Sequence, residues 1–240
     1  MVVWSHLSAL GGLNVTALLA FAIAVWLGAA RCWRLALAWC VLFCGAMLVA
    51  GTSQMAFLGW GIGIQAFDFT GFSGHATRAA AVFPVALFLL LDRRGWRTAG
   101  GHDAQPGAPE RRQGKRVRAA ICAGVLLAAG VAMARVKVGA HSPSEALTGC
   151  LLGLLTAGLF VARARAARDH SPQPLLLGLL AATILLPRAD PINSHQWLTA
   201  ATLKLSGRDR VYLRRDWQPA QGPYVPPCAA SRVRFDYLCT

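Results

Sequence analysis

Hydrophobic residues in this chain gather into blocks. Five of them, residues 7–30, 35–51, 76–91, 119–134 and 146–162, come near the roughly 17 to 25 apolar residues a helix needs to cross a bilayer. A sixth, 174–187, is shorter and bounded by prolines, and reads as a tilted or partly buried helix. The pattern predicts an all-α fold, a polytopic membrane bundle of about six transmembrane helices. Between the third and fourth blocks, residues 92–118 are rich in Gly, Pro and Arg and lack apolar periodicity, so a solvated linker is expected there. Beyond residue 187 polar and aromatic residues return, and 195–205 has the pattern of a short amphipathic helix at the outer interface. The expected division is a helical membrane domain over 1–187 and an extracytoplasmic tail over 188–240.

Composition supports the membrane reading, with 55% hydrophobic and only 14% charged residues. The net charge of +14 would point to nucleic acid in a soluble protein. Here the cations sort to one side of the bilayer instead. If the spans alternate, that side receives Arg31 and Arg34, the arginine-rich linker, and Arg163, Arg165 and Arg168. By the positive-inside rule it is cytoplasmic, and its cations serve topology and anionic lipid rather than nucleic acid. The opposite side receives both termini, with only Arg78, Arg135 and Lys137 near the spans. A bacterial-type inner (plasma) membrane location follows as an expectation. The first block has no positive residue ahead of it and reads as an anchor, not a cleaved signal. Of the seven cysteines, Cys40, Cys44, Cys122 and Cys150 fall in apolar blocks, where small core residues are expected rather than metal ligands. Cys228 and Cys239 lie in the outer tail and are expected to pair.

Candidate chemistry stands at two helix starts. In the stretch from Arg135 to Glu145, His141 precedes Ser142 as a cap, Pro143 as first helical residue and Glu145 as partner in a capping box. An opening helix presents unpaired N–H groups and a positive dipole end, so an anion held there by Arg135 lies within reach of the imidazole. Upstream, Gly71-Phe-Ser73-Gly74-His75 repeats the arrangement, with Ser73 as cap and His75 in the first turn. Both starts fall on the outer side. Blander readings stand beside these: pure capping for Ser73 and Glu145, and snorkelling for Arg135 and Lys137. The run Gly59-Trp-Gly-Ile-Gly63 reads as close backbone packing, with phosphate cradling as the weaker alternative.

Arg-x5-His-x3-acid downstream of Ser-Gly-His resembles the type 2 phosphatidic acid phosphatase superfamily, over roughly residues 50 to 165. The resemblance implies a metal-independent lipid phosphatase without cofactor, acting on a lipid phosphate or pyrophosphate at the outer membrane–water interface. It further implies that His141 attacks phosphorus, Glu145 orients its ring, and His75 protonates the leaving oxygen. Arg135, Ser73 and Gly74 would bind the phosphoryl group, with Arg78 and Lys137 as further cations. The chain departs from the family pattern in three places. It has no Lys-x6-Arg-Pro element, and indeed no Lys or Arg between Arg34 and Arg78; Phe72 stands where Pro is common; Glu145 stands where Asp is common. The alternative is therefore a catalytically impaired relative serving as a lipid-binding or structural membrane protein. Neither the lipid nor the oligomeric state follows from the sequence.

Overall fold

A computed structural model describes residues 2–92, 108–167 and 194–217. Among them the protein is helical throughout, and the nearest approach to a sheet is an isolated bridge between Ile64 and Phe69. The helices are α1 (Val2–Leu10), α2 (Leu13–Ala29), α3 (Trp33–Trp60), α4 (Gly74–Leu91), α5 (Ala108–Lys137), α6 (Pro143–Ala166) and α7 (Ser194–Ser206). Five stretches are long and apolar enough to cross a membrane: Val3–Ala29, Trp33–Trp60, Gly74–Leu91, Arg112–Lys137 and Pro143–Ala166. This is the all-α membrane bundle that the apolar blocks predict. The block at 174–187 and the two tail cysteines lie outside the described residues.

Three boundaries differ from expectation, each for a local reason. The first block is two helices, interrupted at Gly11-Gly12, and the break frees the Gly11 carbonyl for a side chain from α4. α3 runs past residue 51 to Trp60, because Thr52, Ser53 and Gln54 do not stop a helix whose hydroxyls bond back to the preceding turn. It ends at Gly61, in the left-handed conformation at φ 70°. α5 begins at Ala108 inside the expected linker, where Glu110, Arg111, Arg112, Gln113, Lys115 and Arg116 are polar but good helix formers. Absence of apolar periodicity was thus not absence of helix.

α4 is the axis of the bundle, with Ala76, Ala79, Ala80, Ala81, Val82 and Val85 all buried. Its alanines let neighbours approach closely, which is how membrane helices gain van der Waals contact without a hydrophobic drive between them. α6 uses glycine for the same end. A Cβ added at Gly149 would lie 2.7 Å from the Ser73 carbonyl oxygen, and one at Gly153 only 2.3 Å from that of Thr77. Trp39 of α3 is 1% exposed, donates from Nε1 to the Ala20 carbonyl at 2.8 Å, and meets Phe160 of α6 edge to face. Apolar stripes point outward at helical spacing, such as Leu147, Leu151 and Leu155 on α6, as lipid-facing surfaces do.

The helix expected near 195 forms as α7, and it packs along the last turns of α3. Leu198 reaches Gly51, while Thr202 and Ser206 close on Gly59, so the two helices run in the same direction. The chain then turns at Gly207, donates from Tyr212 N–H to the Leu58 carbonyl in the last turn of α3 at 2.8 Å, and goes on to cross the α3–α4 loop. A short 3-10 turn, Arg214–Trp217, completes the crossing. Trp217 packs on Phe57, and its carbonyl accepts from Gln65 Nε2 at 3.1 Å. A Cβ at Gly63 would sit 2.6 Å from the Trp217 ring, so the glycine run serves close packing.

Candidate functional site

The starts of α4 and α6 meet. Ser73 N–H donates to the Glu145 carbonyl at 3.1 Å, joining the two histidine-bearing motifs through their backbones. The capping box is present as read: Ser142 Oγ accepts from Glu145 N–H at 3.3 Å, and Glu145 Oε2 accepts from Ser142 N–H at 3.2 Å. Upstream, Ala140 N–H and His141 N–H both bond the Arg135 carbonyl, which folds the loop back and fixes His141 close to Arg135.

Glu145 is the hub. It is 0% exposed, yet both carboxylate oxygens are saturated with donors. Oε1 accepts from Thr70 N–H at 2.7 Å and from Thr70 Oγ1. Oε2 receives His141 Nδ1 at 2.9 Å and Arg214 Nη2 at 2.6 Å, besides its cap bond. A carboxylate so supplied is ionised and can only accept. His141 Nδ1 therefore carries the hydrogen, and in the neutral ring the Nε2 lone pair is free. One side chain makes both the cap bond to Ser142 and the contact with His141 Nδ1.

His75 occupies the first turn of α4, half-buried, with Nδ1 3.5 Å from Arg78 Nη2. A guanidinium only donates, so this long contact favours a ring with bare Nδ1 and hydrogen on Nε2. The two rings thus differ at Nε2: a lone pair on His141, a hydrogen on His75. Arg78 is 8% exposed and held by Thr16 Oγ1 at 3.1 Å and the Gly11 carbonyl at 3.4 Å, with Nη1 beside Gly74. Arg135 donates to Ser8 Oγ at 3.0 Å, while its buried Nε has no partner among the described residues.

Ser73 stands at the N-cap position, but its side chain makes no cap bond. Its Oγ is buried and without a partner among the described residues, at the first turn of α4, whose opening N–H groups have no intrahelical acceptor. The cap reading fails for this side chain; a donor available to an anion remains. Lys137 is not brought in. It is exposed, and two residues along a helix place it about 200° around α5 from Arg135. Among the described residues no three His, Cys, Asp or Glu side chains come together as a metal-binding group.

Two participants were missed by sequence reasoning. Thr70 sits just ahead of the Ser-Gly-His motif, and its proximity to that motif was the only local signal. Arg214 reads in sequence as one cation of a mixed run, and nothing local ties it to a carboxylate 69 residues away.

A sequence profile of the PAP2 superfamily matches residues 50–169, and these contain both helix starts. A curated relative, the "Uncharacterized 22.5 kDa protein in cps region" of Klebsiella pneumoniae, is 33% identical over 174 residues, covering 72% of this chain and 73% of its own. No solved structure gives a significant match. The chain belongs to the PAP2 superfamily, a membership that supports phosphatase-type activity on phosphorylated lipids at the level of the family.

Proposed function

We propose that the protein is a metal-independent membrane phosphatase that removes phosphate from a lipid phosphate or pyrophosphate through a phosphohistidine. The observation that carries this reading is the bond from His141 Nδ1 to the buried, ionised Glu145, which leaves Nε2 as a directed nucleophile. The Nε2 lone pair attacks phosphorus while the bond to the leaving oxygen breaks. His75, which takes up a second proton when the anionic phosphate binds beside it, gives one proton to that oxygen and is left neutral. The now neutral-acceptor His75 then takes a proton from water, whose oxygen attacks the phosphohistidine and releases inorganic phosphate with both histidines restored. Charge on the transferring group meets the first-turn N–H groups of α4, which have no intrahelical acceptor, the unpartnered Ser73 Oγ, and the guanidiniums of Arg78 and Arg135. Glu145 stabilises the imidazolium-like ring of the intermediate.

The lipid-facing stripes and the arginine distribution support a bacterial-type inner membrane with the site and the tail on its outer side. A substrate with its tails in the outer leaflet would present its headgroup there. Partners are membrane lipids, with no role for nucleic acid. The alternative, a lipid-binding relative without turnover, takes its support from the absence of any Lys or Arg between Arg34 and Arg78.

Purified protein with phosphatidic acid, phosphatidylglycerol phosphate and undecaprenyl pyrophosphate, each in excess chelator, tests the proposal. Phosphate release from at least one, lost in His141→Ala, is the expected result. Lipid binding without release from any would favour the alternative.

A further inference from the structure

Arg214 comes from a segment that the phosphatase reading does not use, yet it reaches the middle of the site. Its Nη1 donates to Asp68 Oδ2 at 3.0 Å and its Nη2 to Glu145 Oε2 at 2.6 Å. That second oxygen also receives His141 Nδ1, so the guanidinium and the imidazole are immediate neighbours. The placement is built. Tyr212 is bonded to Leu58 and stacked under Arg208, Asp216 caps Leu213 N–H at 2.9 Å, and Trp217 is wedged against Phe57 and Gly63.

A guanidinium carries five N–H donors, and the two carboxylates occupy only one on each terminal nitrogen. Others remain, on a side chain that is 40% exposed. Arg78, by contrast, is buried and engaged with Thr16, Gly11 and His75. The wall of the site made by α3 and its following loop has no cation of its own, since none occurs between Arg34 and Arg78. Arg214 lies over that wall.

We propose that Arg214 is a phosphate-binding residue of this site: two carboxylates hold its guanidinium at the mouth, and its spare N–H groups donate to the phosphoryl oxygens of a lipid headgroup seated at His141. The C-terminal segment 207–217 thereby completes the site that the two helix starts begin. The inference rests on the anion-binding part of the reading above, but not on turnover. It is distinct from positioning of Glu145, which the same contact also serves.

The experiment uses the full-length protein in detergent micelles, with binding of inorganic phosphate and of short-chain phosphatidic acid measured by calorimetry. Arg214→Ala is expected to weaken both by about 10- to 100-fold, the loss of one charge-assisted contact. Arg214→Lys should recover part of it. Arg215→Ala, an exposed neighbour that removes the same charge, should leave both within twofold. Unchanged affinity in Arg214→Ala would overturn the proposal. So would a loss confined to the lipid with inorganic phosphate unaffected, which would assign the contact to the rest of the headgroup. An equal loss in Arg215→Ala would reduce the effect to general charge. Failure of the wild type to bind phosphate would also overturn it. Binding that obeys these expectations in a protein that hydrolyses no lipid would instead refute the phosphatase reading and leave Arg214 in place. A thermal unfolding curve for each variant separates these outcomes from misfolding.

Discussion

Ser73 and Glu145, from different motifs, are joined backbone to backbone: the Ser73 N–H donates to the Glu145 carbonyl at 3.1 Å. This single bond sets the start of α4 against the start of α6, and with them the two imidazoles. The glycine at 149 makes it possible, because any Cβ there would collide with Ser73 at 2.7 Å. Fold and site are therefore coupled through helix–helix distance.

That coupling predicts opposite outcomes for two glycines on one helix. Gly153→Ala should lower stability by about 1 to 3 kcal/mol, since its Cβ would press on the Thr77 carbonyl. Gly158→Ala, where nothing lies within 4 Å, should be neutral or stabilise by up to about 1 kcal/mol through helix propensity. Thermal unfolding in micelles measures both; equal destabilisation would refute the close-packing account.

Glu145→Gln keeps the shape but replaces one acceptor with a donor, facing Thr70, His141, Arg214 and Ser142, all of which donate. Turnover should fall by about a thousandfold or more, because the ring of His141 loses its fixed tautomer. Thr70→Val removes only the hydroxyl bond and should lower kcat about tenfold with KM little changed. A rise in KM alone would place Thr70 outside the chemistry.

The two cations of α5 should separate cleanly. Arg135→Ala should raise KM for a lipid phosphate about tenfold or more, while Lys137→Ala, on the far face of the helix, should change it less than twofold. Steady-state kinetics on the substrate found active decides this.

Much of this arrangement was legible in the chain because it is local. The capping box at Ser142 and Glu145, the helix start at Gly74 and the four-residue step from His141 to Glu145 are all set by neighbours in sequence. The apolar blocks located the spans because a bilayer demands length and hydrophobicity together. Helix ends were less legible where polarity and helix propensity disagree, as at Ala108, and where two glycines interrupt an apolar run, as at Gly11-Gly12. Ser73 illustrates another limit. Its residue type matched a cap, but the buried side chain makes no cap bond, and its Oγ has no partner among the described residues. Arg214 was illegible for a plainer reason: its partners, Asp68 and Glu145, are 146 and 69 residues away, and only tertiary packing of the C-terminal segment joins them.

Leaving-group dependence isolates the second histidine. His75→Ala should slow alkyl phosphates by about a hundredfold or more and an aryl phosphate with a good leaving group far less, since a stable leaving anion needs no proton. Parallel losses on both substrates would remove the general-acid role.

The central claim is that His141 is phosphorylated during turnover. Rapid acid-free quenching of the protein with a substrate labelled at the transferring phosphorus, followed by peptide mapping, tests it directly. Label on the peptide containing His141, stable to base, labile to acid and absent in His141→Ala, is the predicted result. Steady phosphate release without label on that peptide, or persisting in His141→Ala, would contradict it.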